Sequence, residues 1–243
     1  MNSTKVLITA PLKQSYGIFR EYQRALDALV VPNGVTVDRF YVVNDCPNII
    51  PEIRGDYEIM NTGDRYDKAV NDHIWTHENL NKMPELRNAT IRRALAGGYD
   101  YWFSIDTDLI LHPNTLVALL DADKDIVSEI FWTQAANGHW WCNAWMYDQC
   151  DPAGHFDEWK TPGLYQCGMT GALTLVKKSV FRAGVDFSPI PCIKRALWGE
   201  DRWFCIRAAC AGFDMWIDTH YPAQHLFTDA LYQEYMRRRE NAE

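Results

Sequence analysis

The chain has no pair of cysteines in C-x-x-C spacing, and its seven cysteines, at 46, 142, 150, 167, 192, 205 and 210, are odd in number. Neither a zinc ribbon nor a complete disulfide framework is indicated, so buried free thiols in a reducing compartment are expected. No apolar run is long enough to span a bilayer, and Met1 stands too close to Val6-Leu7-Ile8 for a signal-peptide core between them. On those grounds the protein is expected in the cytoplasm. There is no basic excess: 24 Lys and Arg face 32 Asp and Glu, a formal net charge of -8 at pH 7. A surface that follows nucleic-acid phosphates needs concentrated positive charge, so nucleic acid is not an expected partner. Internal repeats, linkers and low-complexity tracts are also missing, which leaves one continuous domain, 1–243, as the expected organisation.

A chain of 243 residues, 47% hydrophobic and 23% charged, can bury a sizeable core. Its aromatic content of 13% is high, and ten tryptophans need a use beyond filling that core. The stretch Asp100-Tyr101-Trp102-Phe103-Ser104-Ile105-Asp106-Thr107-Asp108 begins as an apolar run of the kind buried on both faces of a parallel sheet. It then presents two carboxylates two positions apart, which an alternating backbone would set on one side. Carboxylates held close repel unless a cation lies between them, so a metal site is the functional reading and a solvated strand end the structural one.

Along the chain, a strand is expected at 5–10, stopped by Pro11, then a helix at 16–30 with Ile18, Phe19, Tyr22, Leu26 and Leu29 at helical spacing. Pro32-Asn33-Gly34 turns the chain into a strand at 37–43, ending at Asn44-Asp45-Cys46-Pro47. Strand, helix, strand opens a parallel α/β sheet, whose ligands bind beyond the carboxyl ends of its strands. Asp45 stands at such an end, as a ligand contact or as simple turn chemistry. A short strand at 57–60 precedes a polar stretch with the character of a flap. A helix from 85 closes at Gly97-Gly98, another is expected at 115–120, and a strand at 126–131. Between 132 and 167, Trp132, Trp140, Trp141, Trp145 and Trp159 lie among amides and hydroxyl-pairing groups with no period. That mixture suits sugar recognition by stacking and hydrogen bonding, or else an irregular insertion packed on the sheet. Small residues at 168–172 lead into an apolar strand, followed by a helix at 177–183. Trp198-Gly199-Glu200-Asp201 opens a helix that stops at Gly212, and acidic residues there complement exposed N–H groups whatever else they do. A last strand is expected at 215–218, then a terminal helix from about 228 whose Arg237-Arg238-Arg239 read as a solvated end.

Three of these segments, in order, resemble the GT-A glycosyltransferases, particularly the large group with a GED-type acceptor motif. They are the passage from Leu86-Arg87-Asn88-Ala89 to the D-x-D, the strand Gly168-Met169-Thr170-Gly171-Ala172 with its Lys177-Lys178 continuation, and Trp198-Gly199-Glu200-Asp201 with Cys205-Ile206-Arg207-Ala208, Gly212-Phe213 and His225. Together they span roughly 85–227. Where many relatives carry a further acidic residue soon after Glu-Asp, this chain has Arg202-Trp203.

The resemblance implies an α/β fold, a single Rossmann-like GT-A domain with a mostly parallel central sheet flanked by helices. It implies a nucleotide-binding half at 1–110 and an acceptor-binding half at 111–243. The activity implied is transfer of a sugar from a nucleotide-diphosphate sugar to a hydroxyl of a glycan, lipid-linked or other acceptor, with inversion. Asp106, Asp108 and His225 would hold Mn²⁺ or Mg²⁺, an oxygen and nitrogen donor set that suits either ion. Asp45, Arg87, Asp106 and Pro11 fall on the nucleotide side. Asp201 takes the general base position with Glu200 beside it, and Trp198, Gly171, Trp140 and Trp141 the acceptor side. Two other classes compete. One is a non-catalytic nucleotide-sugar-binding module. The other is a phosphatase or phosphotransferase whose nucleophile is the first Asp of a D-x-D, although here Ile110 stands where Thr or Val is usual and no lysine motif follows.

Overall fold

The computed structural model describes residues 3–63, 77–134, 138–146, 156–194 and 197–241. The first strand, β1 (Thr4–Leu12), is apolar on both faces because it is covered on both. Val6, Ile8 and Ala10 pack with Ile18, Phe19, Tyr22 and Leu26 of helix α1 (Tyr16–Asp27). Leu7 faces the opposite layer, which holds Leu86 and Ile91 of α2 (His77–Ala96). Parallel strands β2 (Val35–Val43) and β4 (Tyr101–Ile105) flank β1, and β3 (Asp56–Ile59) extends the sheet beyond β2.

Pro11 does not stop β1: it pairs with Val42 of β2 and the strand runs on to Leu12. Leu12 turns its carbonyl to Asn44 at 2.8 Å on the β2 side. Its neighbour Pro11 therefore faces the other edge, where pairing with β4 has already ended at Thr9 and no amide is needed. Helix α2 begins well before the expected residue 85 and holds Pro84 inside it; its first turns are mostly polar, with only Leu80 and Met83 as apolar residues before Pro84. Gly98 at φ 68° turns the chain out of α2 while the N–H of Tyr99 reaches back to the Ala94 carbonyl at 3.1 Å, so β4 starts directly beneath the helix.

After β4 come β5 (Leu109–Ile110), α3 (Thr115–Asp121) and β6 (Ile126–Gln134). The tryptophan-rich stretch contains β7 (Trp140–Cys142), β8 (Ala144–Trp145), α4 (Phe156–Trp159) and β9 (Leu164–Cys167). Then follow β10 (Met169–Thr170), β11 (Leu173–Lys177), α5 (Lys178–Arg182), α6 (Glu200–Cys210), β12 (Met215–His225) and α7 (Asp229–Glu240). The main path is β3-β2-β1-β4-β11-β6-β12-β5. Strands β3, β2, β1, β4, β6 and β12 run one way; β11, antiparallel to both β4 and β6, and β5 run the other.

Strand β12 extends far past the expected residue 218, through an irregularity between Asp218 and Ala223, and so carries His225 to Leu109 of β5. The Thr228 hydroxyl caps α7 by accepting from the Leu231 N–H at 3.2 Å. The arginine run is divided: Arg237 and Arg238 are exposed, whereas Arg239 reaches the buried Glu21 of α1 at 2.5 Å. The thiols of Cys46, Cys142, Cys167 and Cys205 are free and buried, as expected; Cys192 and Cys210 are exposed, and Cys150 lies outside the described residues. Among the described residues no helix is long and apolar enough to cross a membrane.

Candidate active site

The carboxyl ends of the parallel strands β1, β2, β3 and β4 lie along one edge of the sheet, and the turn after β4 meets the start of α6 through Arg87 of α2. Strand alternation ends at Ile105, so it does not set the two D-x-D carboxylates on one side as expected. Asp106 turns the chain instead: its N–H donates to the Ala172 carbonyl at 3.0 Å, and its own carbonyl accepts from Leu109 at 3.1 Å. The two side chains then find separate partners. Asp106 accepts from Arg87 Nη2 at 3.1 Å, whereas Asp108 Oδ2 stands 3.5 Å from His225 Nε2. The other ring nitrogen of His225 lies 2.8 Å from the Thr133 hydroxyl. Phe131 and Phe227 flank the ring, with centroids 4.9 and 4.8 Å away.

Arg87 is the hub. It is 2% exposed, and from α2 it donates to Ser104 at 3.1 Å, lies 3.6 Å from Glu200 and 4.0 Å from Asp201, and holds Asp106. Burial works against its charge, but Asp106, Asp201 and Glu200 outweigh that and hold its pKa above the ordinary guanidinium value. Arg87 therefore lies beneath the site rather than facing it. The carboxylates respond in the opposite sense. Burial raises Asp106, against the pull of Arg87 and with the push of Asp108. Burial also raises Glu200 and pushes Asp201 up to about 7, with Arg87 opposing and Glu200 adding to the shift. A carboxyl that titrates near neutrality is poised for proton transfer.

The N-cap of α6 is Gly199, at φ 135°, which has no side chain to cap with. Asp201 lies against Gly171, where any β-carbon would collide with its carboxylate, which explains the glycine. Trp198 is partly buried, its ring 5.9 Å from Trp203 at 71°, and its carbonyl accepts from Arg202 at 3.1 Å. Arg202 in turn stacks over Trp145 at 5.5 Å. Trp140 and Trp141 are 53% and 48% exposed on β7. Trp141 pairs with Thr133, so the two side chains share a face, and Thr133 is the residue that touches His225.

At the end of β2, Asp45 holds a left-handed backbone at φ 51°. Lys13 stands 3.8 Å from its carboxylate, and Asn61 accepts its N–H at 3.2 Å. Pro11 lies two residues before Lys13 at the same end of β1. The fold thus brings together Asp106, Glu200, Asp201, Arg87 and Gly171, with the Asp108–His225 pair near enough to act on the Asp106 charge. Lys13, Asn61, Thr133 and Asn143 were not singled out from sequence; none stands in a pattern that distinguishes it from an ordinary polar residue.

The donor chemistry fits a divalent cation: two carboxylates and an imidazole, the imidazole held from behind by a hydroxyl that can accept its Nδ1–H. Among the described residues, no three acidic, imidazole or thiol side chains already stand in a cage.

Residues 52–221 match the family described as glycosyltransferase family 25, N-terminal domain. A search among curated proteins finds no match. Among solved structures, the chain is similar to a crystal structure of S. aureus TarS 1-349, at 14% identity and a TM-score of 0.55, covering 96% of this chain and 64% of that one. It is similar also to GalNAc-T7 with UDP, GalNAc and Mn²⁺, at 7% identity and a TM-score of 0.54, covering 92% of this chain and 44% of that one. At these identities the likeness is one of fold, and the chain spans less than two thirds of either structure.

Proposed function

This chain belongs to the family of the glycosyltransferase family 25 N-terminal domain, and we propose that it moves a sugar from a nucleotide-diphosphate sugar to an acceptor hydroxyl with inversion, assisted by a divalent cation. The enzyme is a glycosyltransferase with a GT-A fold. The observation that carries the finer reading is the convergence of Asp106 and Asp201 on one buried guanidinium, at 3.1 and 4.0 Å. It joins the donor-side turn to the acceptor-side helix in a single site.

In this reading the half at 1–110 takes the nucleotide, with Asp45 and Pro11 at the strand ends and Arg87 acting from below by holding Asp106. The half at 111–243 takes the acceptor, with Gly171, Trp198, Trp140 and Trp141 along its path. Asp201 accepts the proton of the acceptor hydroxyl as that oxygen bonds to the anomeric carbon; the bond from that carbon to the diphosphate breaks, and its electrons leave with the diphosphate. Glu200 keeps Asp201 and Arg87 in register. Asp106, Asp108 and His225 would hold Mn²⁺ or Mg²⁺, and the Mn²⁺ named with GalNAc-T7 is consistent with that choice. When bound, such an ion neutralises the charge that gathers on the leaving diphosphate.

A screen of nucleotide-sugars with and without Mn²⁺, read by thermal stabilisation and then by proton NMR of the fresh product, tests the proposal. A donor bound only by the folded state raises the melting temperature. The expected result is Mn²⁺-dependent stabilisation by one donor and an inverted anomeric centre. Absence of stabilisation by every donor, or a retained configuration, rejects it.

A further inference from the structure

Between the two carboxylate-bearing segments lies a turn held under strain. Ala172 sits at φ 65°, and the Leu173 N–H donates to the Gly171 carbonyl at 2.8 Å, closing a three-residue turn of the rare hand. A residue with a β-carbon holds that backbone at a steric cost, and persists there only where its surroundings over-determine it. The surroundings here are chiefly one side chain.

Asn143, 5% exposed between β7 and β8, donates through Nδ2 to the Gly171 carbonyl at 3.1 Å and to the Glu129 carbonyl at 3.0 Å. Its Oδ1 accepts from the Phe131 N–H at 2.9 Å, and its own carbonyl accepts from the Gly171 N–H at 3.2 Å. Gly171 is thus gripped at both its N–H and its carbonyl by a single residue, which is itself anchored to β6. From that fixed point the turn reaches both halves of the site. The Ala172 carbonyl receives the Asp106 N–H at 3.0 Å, and the Asp201 carboxylate fills the space that a β-carbon on Gly171 would need.

We propose that this clamped turn sets the position of Asp106 relative to Asp201, and that Asn143 is the positioning residue that holds it, acting through Gly171 and Ala172. The inference rests on the functional reading above. A strained backbone and a buried amide satisfying three backbone groups are more than a connection from β10 to β11 requires. They become intelligible if the separation of the two carboxylates must not drift, since misplacing reacting groups by about 1 Å can cost about 10²-fold in rate.

Asn143→Ser removes the grip on the Gly171 carbonyl without adding bulk. The expected result is a kcat lower by about 10-fold or more with donor KM within about twofold, the pattern of lost alignment rather than lost binding. Hydrogen exchange at the Asp106 amide, which depends on the Ala172 carbonyl, should accelerate far more than exchange at the amides of β1. Should Asn143→Ser fail to fold, Gly171→Ala keeps the clamp and displaces Asp201 instead, and the same split of kcat from donor KM is expected. Wild-type kcat in either folded variant, or an acceleration of exchange spread evenly over the sheet, overturns the proposal. If the wild-type protein transfers no sugar from any donor, the functional reading fails, while the Asp106 exchange rate still decides whether the turn holds the two carboxylates.

Discussion

Arg87 holds Asp106 at 3.1 Å from a helix, not from a neighbouring strand, and the same guanidinium stands 3.6 Å from Glu200. One buried cation thus supports acidic groups from two distant segments of the chain. Replacing it by Met leaves the buried Glu200 and the part-exposed Asp106 without a counter-charge; breaking a fully buried pair typically costs about 3–5 kcal/mol, and the exposure of Asp106 lowers that cost here. Arg87→Met is therefore expected to melt well below the wild type. A superimposable melting curve would show that the cluster is wetter and weaker than its burial implies.

In the proposed metal set, Asp108 and His225 already stand 3.5 Å apart. Asp108→Asn should abolish transfer while leaving the fold intact, because the side chain lies at a turn and not in the core. His225→Ala should weaken the Mn²⁺ response less completely, since water can replace one ligand. Activity titrations with Mn²⁺ and with EDTA check both, and full activity in EDTA contradicts the metal assignment.

For Asp201, conversion to Asn should lower kcat by about 10²-fold or more with donor binding preserved. The active form is the carboxylate, and burial pushes its pKa up to about 7. The rate should accordingly fall as the pH drops below about 7, rather than below the ordinary carboxylate range. A pH profile flat from 7 down to 5 would remove Asp201 from the role of base.

The proposed acceptor recognition rests on two aromatic positions. Trp198→Ala is expected to raise the acceptor KM with little effect on kcat, because stacking on a ring face binds without taking part in bond making. Trp141→Ala should act in the same direction, as its ring shares a face with Thr133 beside His225. Unchanged acceptor kinetics in both would return these rings to a packing role.

Glu129 makes a separate prediction about stability. It is fully buried beside Asp218 on the next strand, and burial followed by that neighbour pushes its pKa up to about 9 from 4.5. Over that interval the folded chain keeps a proton that the unfolded chain releases, so stability falls as the pH rises. Glu129→Gln cannot ionise and can still donate to Asp218. Its melting temperature should decline less than that of the wild type between pH 5 and 9, and parallel curves would refute the assignment.

The sequence made the periodic and the chemically marked features legible. Strand β1, helix α1 and the run into Asp106 announce themselves because burial on both faces, or on one stripe, leaves a pattern in the residues themselves. Glu200 and Asp201 were visible as an acidic helix start, although what they face could not be read. The start of α2 was hidden because its first turns are mostly polar and Pro84 resembles a boundary. The length of β12 was hidden by its irregularity near Pro222. Thr133 and Asn143 escaped for a deeper reason: each acts through a partner dozens of residues away, and only the assembled sheet shows which polar side chain has become a strut.

Strand β11 is bonded along one edge to β4 and along the other to β6, so it sews the strands from β3 to β4 to the strands β6 and β12. The two halves share a backbone seam, not a linker, and swinging one away from the other would tear hydrogen bonds from the middle of the sheet. The floor beneath the strand ends thus behaves as a single plate, and any movement is left to the loops and helices above it.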